Sequence, residues 1–341
     1  MKKSKTQKGI TLIALIITIV VLLILAVVTI NAIQGDGIIR YAENAADEYT
    51  SKSNEEQETL DYYSTVLEDN QPGSSISSRT EEGVPIPVGF KYVSGTKNTG
   101  VVIENETEGS QFVWVPVITP ITATESEPAT SASFDSKEAN LKRAGCEDFD
   151  KDGKLTITEF KTQLTNEFNA MAESVKKYGG FYVGRYETSI KGKTVQSKKW
   201  TTQNPVTILT NSSTSTDWYG QYARCKTYAT TSVQGSMIWG SQYDAMITWM
   251  GNLAMNFNTS LRNTDSQRRT GYVGTDVVKN IYDLAGCNVE WTMEAKSADR
   301  VGRGGSMYTG WAIDYRCVGW DIAYPTCTYD SMTARLALYI I

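Results

Sequence analysis

The sequence predicts an α+β protein: a long N-terminal helix, then a domain of short strands with few helices. Three observations predict it. An uncharged apolar run fills residues 10–30. Beyond it, Ile38, Ala42, Ala45 and Tyr49, then Leu60, Tyr63 and Leu67, recur at spacings of three and four, which is an amphipathic stripe. From about Val84, short β-rich runs alternate with turn residues: VPIPVGFKYV, GVVIENE, QFVWVPV, GGFYVGRYE, SMIWGS, VGRGGSM and ARLALYI.

The apolar run has the length of a transmembrane helix, since about twenty residues at 1.5 Å rise span a hydrocarbon core. Lys2, Lys3, Lys5 and Lys8 precede it, which sets the start on the cytoplasmic side. Gly35-Asp36-Gly37 interrupts the helical pattern, and acidic residues from Glu43 to Asp69 cover its polar face. Asn70-Gln71-Pro72-Gly73 opens a polar linker over 70–84. Within the domain, SQYDAMITWMGNLA predicts one helix over 241–254, with Met246, Trp249, Met250 and Leu253 on one side. A second helix is expected from Trp218 to Thr227.

Composition narrows the function. The 341 residues carry a formal net charge of −5, without the basic stripe of a nucleic-acid binder. The absence of histidine excludes Ser-His-Asp and Cys-His nucleophile sites and His-ligated zinc or haem. The five cysteines (Cys146, Cys225, Cys287, Cys317 and Cys327) include no CxxC pair, and an odd set leaves at least one thiol free. Nineteen tyrosines and eight tryptophans suit a contact surface of amphipathic rings.

The most specific local motif is Asp148-Phe149-Asp150-Lys151-Asp152-Gly153-Lys154-Leu155-Thr156-Ile157-Thr158-Glu159, which fits the EF-hand pattern D-x-[DN]-x-[DN]-G-x5-E at every defined position. Ca2+ takes hard oxygens, here from Asp148, Asp150, Asp152, the Lys154 carbonyl, Thr156 directly or through water, and bidentate Glu159. A helix from Thr158 to Lys177 is expected to lead out, with Phe160, Leu164, Phe168, Met171 and Val175 on one face. A single copy reads as a structural calcium clip rather than a paired sensor.

Three parts of the chain carry resemblances. KGITLIALIITIVVLLILA resembles the prepilin leader of type IV pilins and pseudopilins. That resemblance implies cleavage by a prepilin peptidase between Gly9 and Ile10, and a pilin-like assembly. Ile10 stands where the family has phenylalanine, and Ala14 where it has the glutamate used in fibre assembly. Further on, FVWVPV (112–117), GGFYVGRYET (179–188), YDLAGCNVEWT (282–292), RVGRGGS (300–306) and ARLALYI (334–340) occur in the order seen in the formylglycine-generating-enzyme family, the sulfatase-modifying-factor domain. That resemblance implies a variant of the C-type lectin fold. Catalytic members place a copper-binding cysteine pair shortly after Gly-Gly-Ser. Here that loop reads Met307 to Tyr315 without cysteine, which points away from an enzyme and leaves no catalytic residues to name.

Between Met307 and Ala334 there is no Lys, Glu, Gln or Asn. The segment resembles the variable region of proteins diversified by retroelements that mutate adenines. By that resemblance the ligand contacts are Tyr308, Trp311, Asp314, Tyr315, Trp320, Asp321, Tyr324 and Tyr329, with Asn288 at the margin. The implied organisation is a leader (1–9), a transmembrane and stalk helix (10–69), a linker (70–84) and a C-type-lectin-like domain (85–341) with an EF-hand-like insert at about 130–177. The function expected is a cell-surface adhesin or receptor, membrane-anchored or held in a fibre, with a protein or glycan ligand and no chemistry. A formylglycine-type modifying enzyme and a minor pseudopilin with a structural head are the alternatives.

Overall fold

The computed structural model describes residues 12–34, 43–54, 56–57, 60, 73–117, 157–210, 213, 217–296, 299–317 and 329–341. The chain divides into two units, Met1–Glu68 and Asp69–Ile341.

In the first unit, α1 is Leu12–Gln34, 23 residues. Its side chains are described over 14–30 and are exposed. Among the described residues no helix is long and apolar enough to cross a membrane. The expected fold class is corrected on this point. The chain is a mixed α/β protein with several sheets, and its described residues do not supply the long N-terminal transmembrane helix expected. Helix resumes over 43–54, and the expected break at Gly35-Asp36-Gly37 lies outside the described residues.

The second unit is built on a six-stranded antiparallel sheet. Its strands are β1 (Phe90–Ser94), β2 (Val102–Asn105), β3 (Gln111–Pro116), β4 (Gly180–Gly184), β5 (Val233–Met237) and β10 (Leu336–Ile340), in the order β5-β10-β4-β3-β2-β1. The run FVWV of β3 is buried at all four residues, as are all five residues of β10, while β1 exposes four of five. A continuous apolar run marks a strand covered on both faces, and the edge strand tolerates polar residues. A second sheet holds β6 (Val289–Lys296), β7 (Asp299–Arg303), β8 (Arg316–Cys317) and β9 (Met332–Ala334), in the order β8-β7-β6-β9. Only β6 and β9 run parallel in it.

Helix α2 (Ile157–Tyr178) buries Phe160, Leu164, Phe168, Met171 and Val175, the stripe expected from spacings of three and four. Its Phe168 meets Trp239 edge-on at 5.2 Å. Asp217 caps α3 (Trp218–Lys226) by accepting from Gly220 N at 3.1 Å. The single helix expected over 241–254 is instead two, α4 (Gly240–Met250) and α5 (Asn252–Met255). Gly251, at φ +55°, ends the first. Met246 and Met250 are buried as expected, but Leu253 after the break is exposed.

Part of the expected linker is folded. Ile76–Arg79 pairs antiparallel with Pro85–Pro87, and Ile76 and Val84 are buried, so these apolar side chains draw the polar stretch into the domain. A small three-stranded sheet of Ser189–Lys191, Thr194–Gln196 and Thr207–Ile208 was not foreseen.

Candidate ligand-binding surface

The loop 304–315 joins the antiparallel strands β7 and β8, whose Arg303 and Arg316 pair. Its base needs glycine. A Cβ on Gly304, at φ +77°, would lie 2.5 Å from Leu284 O, and one on Gly305 would lie 2.1 Å from Ala285 O. That closeness lets Gly305 N donate to Leu284 O at 3.1 Å, while Gly304 N donates to Tyr315 O at 3.0 Å and closes the loop. A turn follows. Ser306 N donates to Thr309 Oγ1 (3.1 Å), and Tyr308 N donates to Ser306 Oγ (3.2 Å).

The turn leaves Tyr308 68% exposed. Trp311 is half-buried against the core and stacks on Tyr315 with ring centres 4.4 Å apart. Asp314 is half-buried, beside the fully buried Ile313 whose carbonyl accepts from Tyr243 Oη at 2.9 Å. On the returning arm Tyr329 is 46% exposed, and the chain then enters β9 with Met332 buried. Tyr308, Trp311, Asp314, Tyr315 and Tyr329 thus all reach the surface to some degree. Trp320, Asp321 and Tyr324 lie outside the described residues, and so do Gly9 and Ile10.

Asn288 is placed differently. It is 1% exposed, and it donates to Glu187 from its backbone N (2.8 Å) and from Nδ2 (2.9 Å). The pattern motif Cys287-Asn288 therefore serves the interior. Cys287 is a free thiol at φ +60°, pushed well up by burial and by the nearby Glu187 carboxylate, so it is not a ready thiolate. Cys225 is free and buried as well. Burial, with Asp283 and Glu290 nearby, likewise raises the Glu187 carboxyl well above the usual range.

Of the calcium motif, Asp148, Asp150, Asp152, Lys154 and Thr156 lie outside the described residues. Glu159 is described, exposed, in the first turn of α2. Among the described residues there is no cluster of three or more metal-ligating side chains.

The expected contact set missed the loop before β6. There Arg268 sits 5.9 Å from the Tyr308 ring, and Arg269 lies over the rings of Tyr272 (3.5 Å) and Trp200 (4.8 Å). The stretch RNTDSQRRTGY (262–272) shows its arginines plainly, but nothing in the sequence brings them beside residue 308.

No family model, no curated protein and no solved structure matches this chain.

Proposed function

We propose that residues 69–341 form a non-catalytic ligand-binding unit displayed at the cell surface. Its partner docks on the face formed by the Tyr308–Tyr315 loop and Tyr329. One observation carries this reading: the most exposed rings among the described residues of the chain-end segment, Tyr308 and Tyr329, stand on arms whose ends are tied into the second sheet. Tied ends allow side chains to vary without unfolding the core, and exposed tyrosines supply contact area at low entropy cost. The bias of residues 307–334 against Lys, Glu, Gln and Asn supports diversification of this face. The resemblance to the formylglycine-generating-enzyme family supports a scaffold whose loops carry the specificity.

A calcium clip at 148–159 is part of the proposal. It is favoured by the start of α2 at Ile157, which sets Glu159, the twelfth loop position, in the first helical turn as an EF-hand requires.

The test of the binding face uses a panel of immobilised proteins and glycans. Once a ligand is found, single alanine variants of Tyr308 and Tyr329 should each weaken binding by on the order of 2 kcal/mol. Melting temperature is recorded for each variant. Binding that survives loss of Tyr308, Tyr315, Tyr324 and Tyr329 together, in a folded protein, places the ligand elsewhere.

A further inference from the structure

Arg268 reaches both arms of the chain-end segment. Its guanidinium lies 5.9 Å from the Tyr308 ring and donates from Nη1 to the Asp330 carbonyl. The two partners lie 40 and 62 residues further along the chain. Arg268 is itself held in place. Its backbone N donates to Asp265 O at 2.9 Å, and Asp265 grips Arg269 next door through Nε (2.8 Å), Nη2 (2.7 Å) and the backbone N (2.9 Å). The residue adopts φ +50°, a left-handed conformation that is strained for a non-glycine residue and persists where the surroundings enforce it. Arg262 flanks the same turn: a Cβ on Gly310 would lie 3.9 Å from its Nη1.

We infer that Arg268 is a positioning residue that clamps the two arms of the binding face from outside the chain-end segment. The inference rests on the reading of that face as a ligand surface. The chemistry of the two contacts suits a face whose side chains change. A guanidinium attracts any aromatic ring at 308 through the ring's quadrupole. At 330 it reads a backbone carbonyl, which every residue provides. The clamp therefore fixes the separation of the arms before a partner arrives, and preorganisation of this kind lowers the ordering cost of binding.

Hydrogen exchange on the full chain, without ligand, tests the clamp. The amides to follow are Tyr308 and Thr309 on one arm and Met332 on the other, each hydrogen-bonded within its own turn. In Arg268→Ala both arms should exchange several-fold faster, while the amides of β3 and β10 keep their protection. Tyr308→Ala should loosen the first arm and leave Met332 unchanged. Asp330→Ala should change neither arm, because the acceptor is main chain. Unchanged exchange in Arg268→Ala, or loosening of one arm only, overturns the clamp. This readout needs no ligand, so its failure leaves the binding reading standing. Conversely, binding that survives the four-tyrosine variant sinks that reading without touching the clamp.

Discussion

Arg335 has no access to solvent, and every contact it makes is a replacement for water. It forms a buried ion pair with Glu290, its Nε reaching both carboxylate oxygens at 2.8 and 2.9 Å. It also donates to Gly184 O and Tyr282 O, each at 2.8 Å, and so ties β4 to the start of β6. Removing one partner strands a buried charge, so Arg335→Ala should cost about 3–5 kcal/mol in urea unfolding. The double variant Glu290→Leu with Arg335→Met removes both charges and should cost less than the single one. Around this pair sit further acids. Burial and the neighbouring Asp283 raise Asp276 to about 7, and burial raises Asp283 and Glu290 as well. A carboxyl whose folded pKa is raised binds more protons folded than unfolded. Its stabilising contribution is complete below the unfolded value near 4 and is lost as pH rises towards 7. The melting temperature should therefore climb on acidification from pH 8 to 5, as the unfolding free energy grows by up to about 1.4 kcal/mol per pH unit for each proton taken up. Asp276→Asn should flatten that slope; an unchanged slope would remove Asp276 from the cause. At this scale the sequence was legible where sterics rule. The pair Gly304-Gly305 predicts close backbone approach and makes it. Asn288 was misplaced because a polar residue beside a loop and a polar residue holding a buried glutamate look alike in one dimension.

Elements were easier to read than their ends. The stripe of α2 and the buried runs of β3 and β10 stand in the sequence as periodicity. The expected helix over 241–254 ran through Gly251 because its apolar pattern continues past the glycine, and only the backbone shows the positive φ that breaks it. Two-residue strands such as Thr207–Ile208 carry no periodicity at all. The proposed calcium loop of 148–159 runs directly into α2. Three aspartates within five residues repel one another until a cation neutralises them. Millimolar Ca2+ should raise the melting temperature of the full chain by mass action, and a chelator should reverse the rise. Asp148→Ala and Glu159→Gln should each abolish the difference. A wild-type protein that melts identically with Ca2+ and with chelator has no clip.

The division of the whole chain at Glu68/Asp69 has a physical basis in strand pairing. Every described strand of the second unit finds its partner within residues 76–340. The core is closed by chain-distant pairs such as Trp114 with Tyr182, at 5.0 Å, and Phe112 with Tyr228, at 5.3 Å. Ser75 Oγ donates to the carbonyl of Ile341, so the two ends of the unit meet. None of this connectivity could be read in advance. The pairing of β10 with both β4 and β5 joins residues about a hundred or more positions apart, and local pattern says nothing about such partners. A unit with its own sheets and core should fold alone. A fragment of residues 69–341 should therefore melt in one cooperative transition, within a few degrees of the corresponding transition in the full chain, and it should keep the acid-stabilised slope set by Asp276. Calorimetry on both proteins decides the matter. A fragment that melts without cooperativity, or far below the full chain, would mean that residues 1–68 contribute to the core and that the boundary is misplaced.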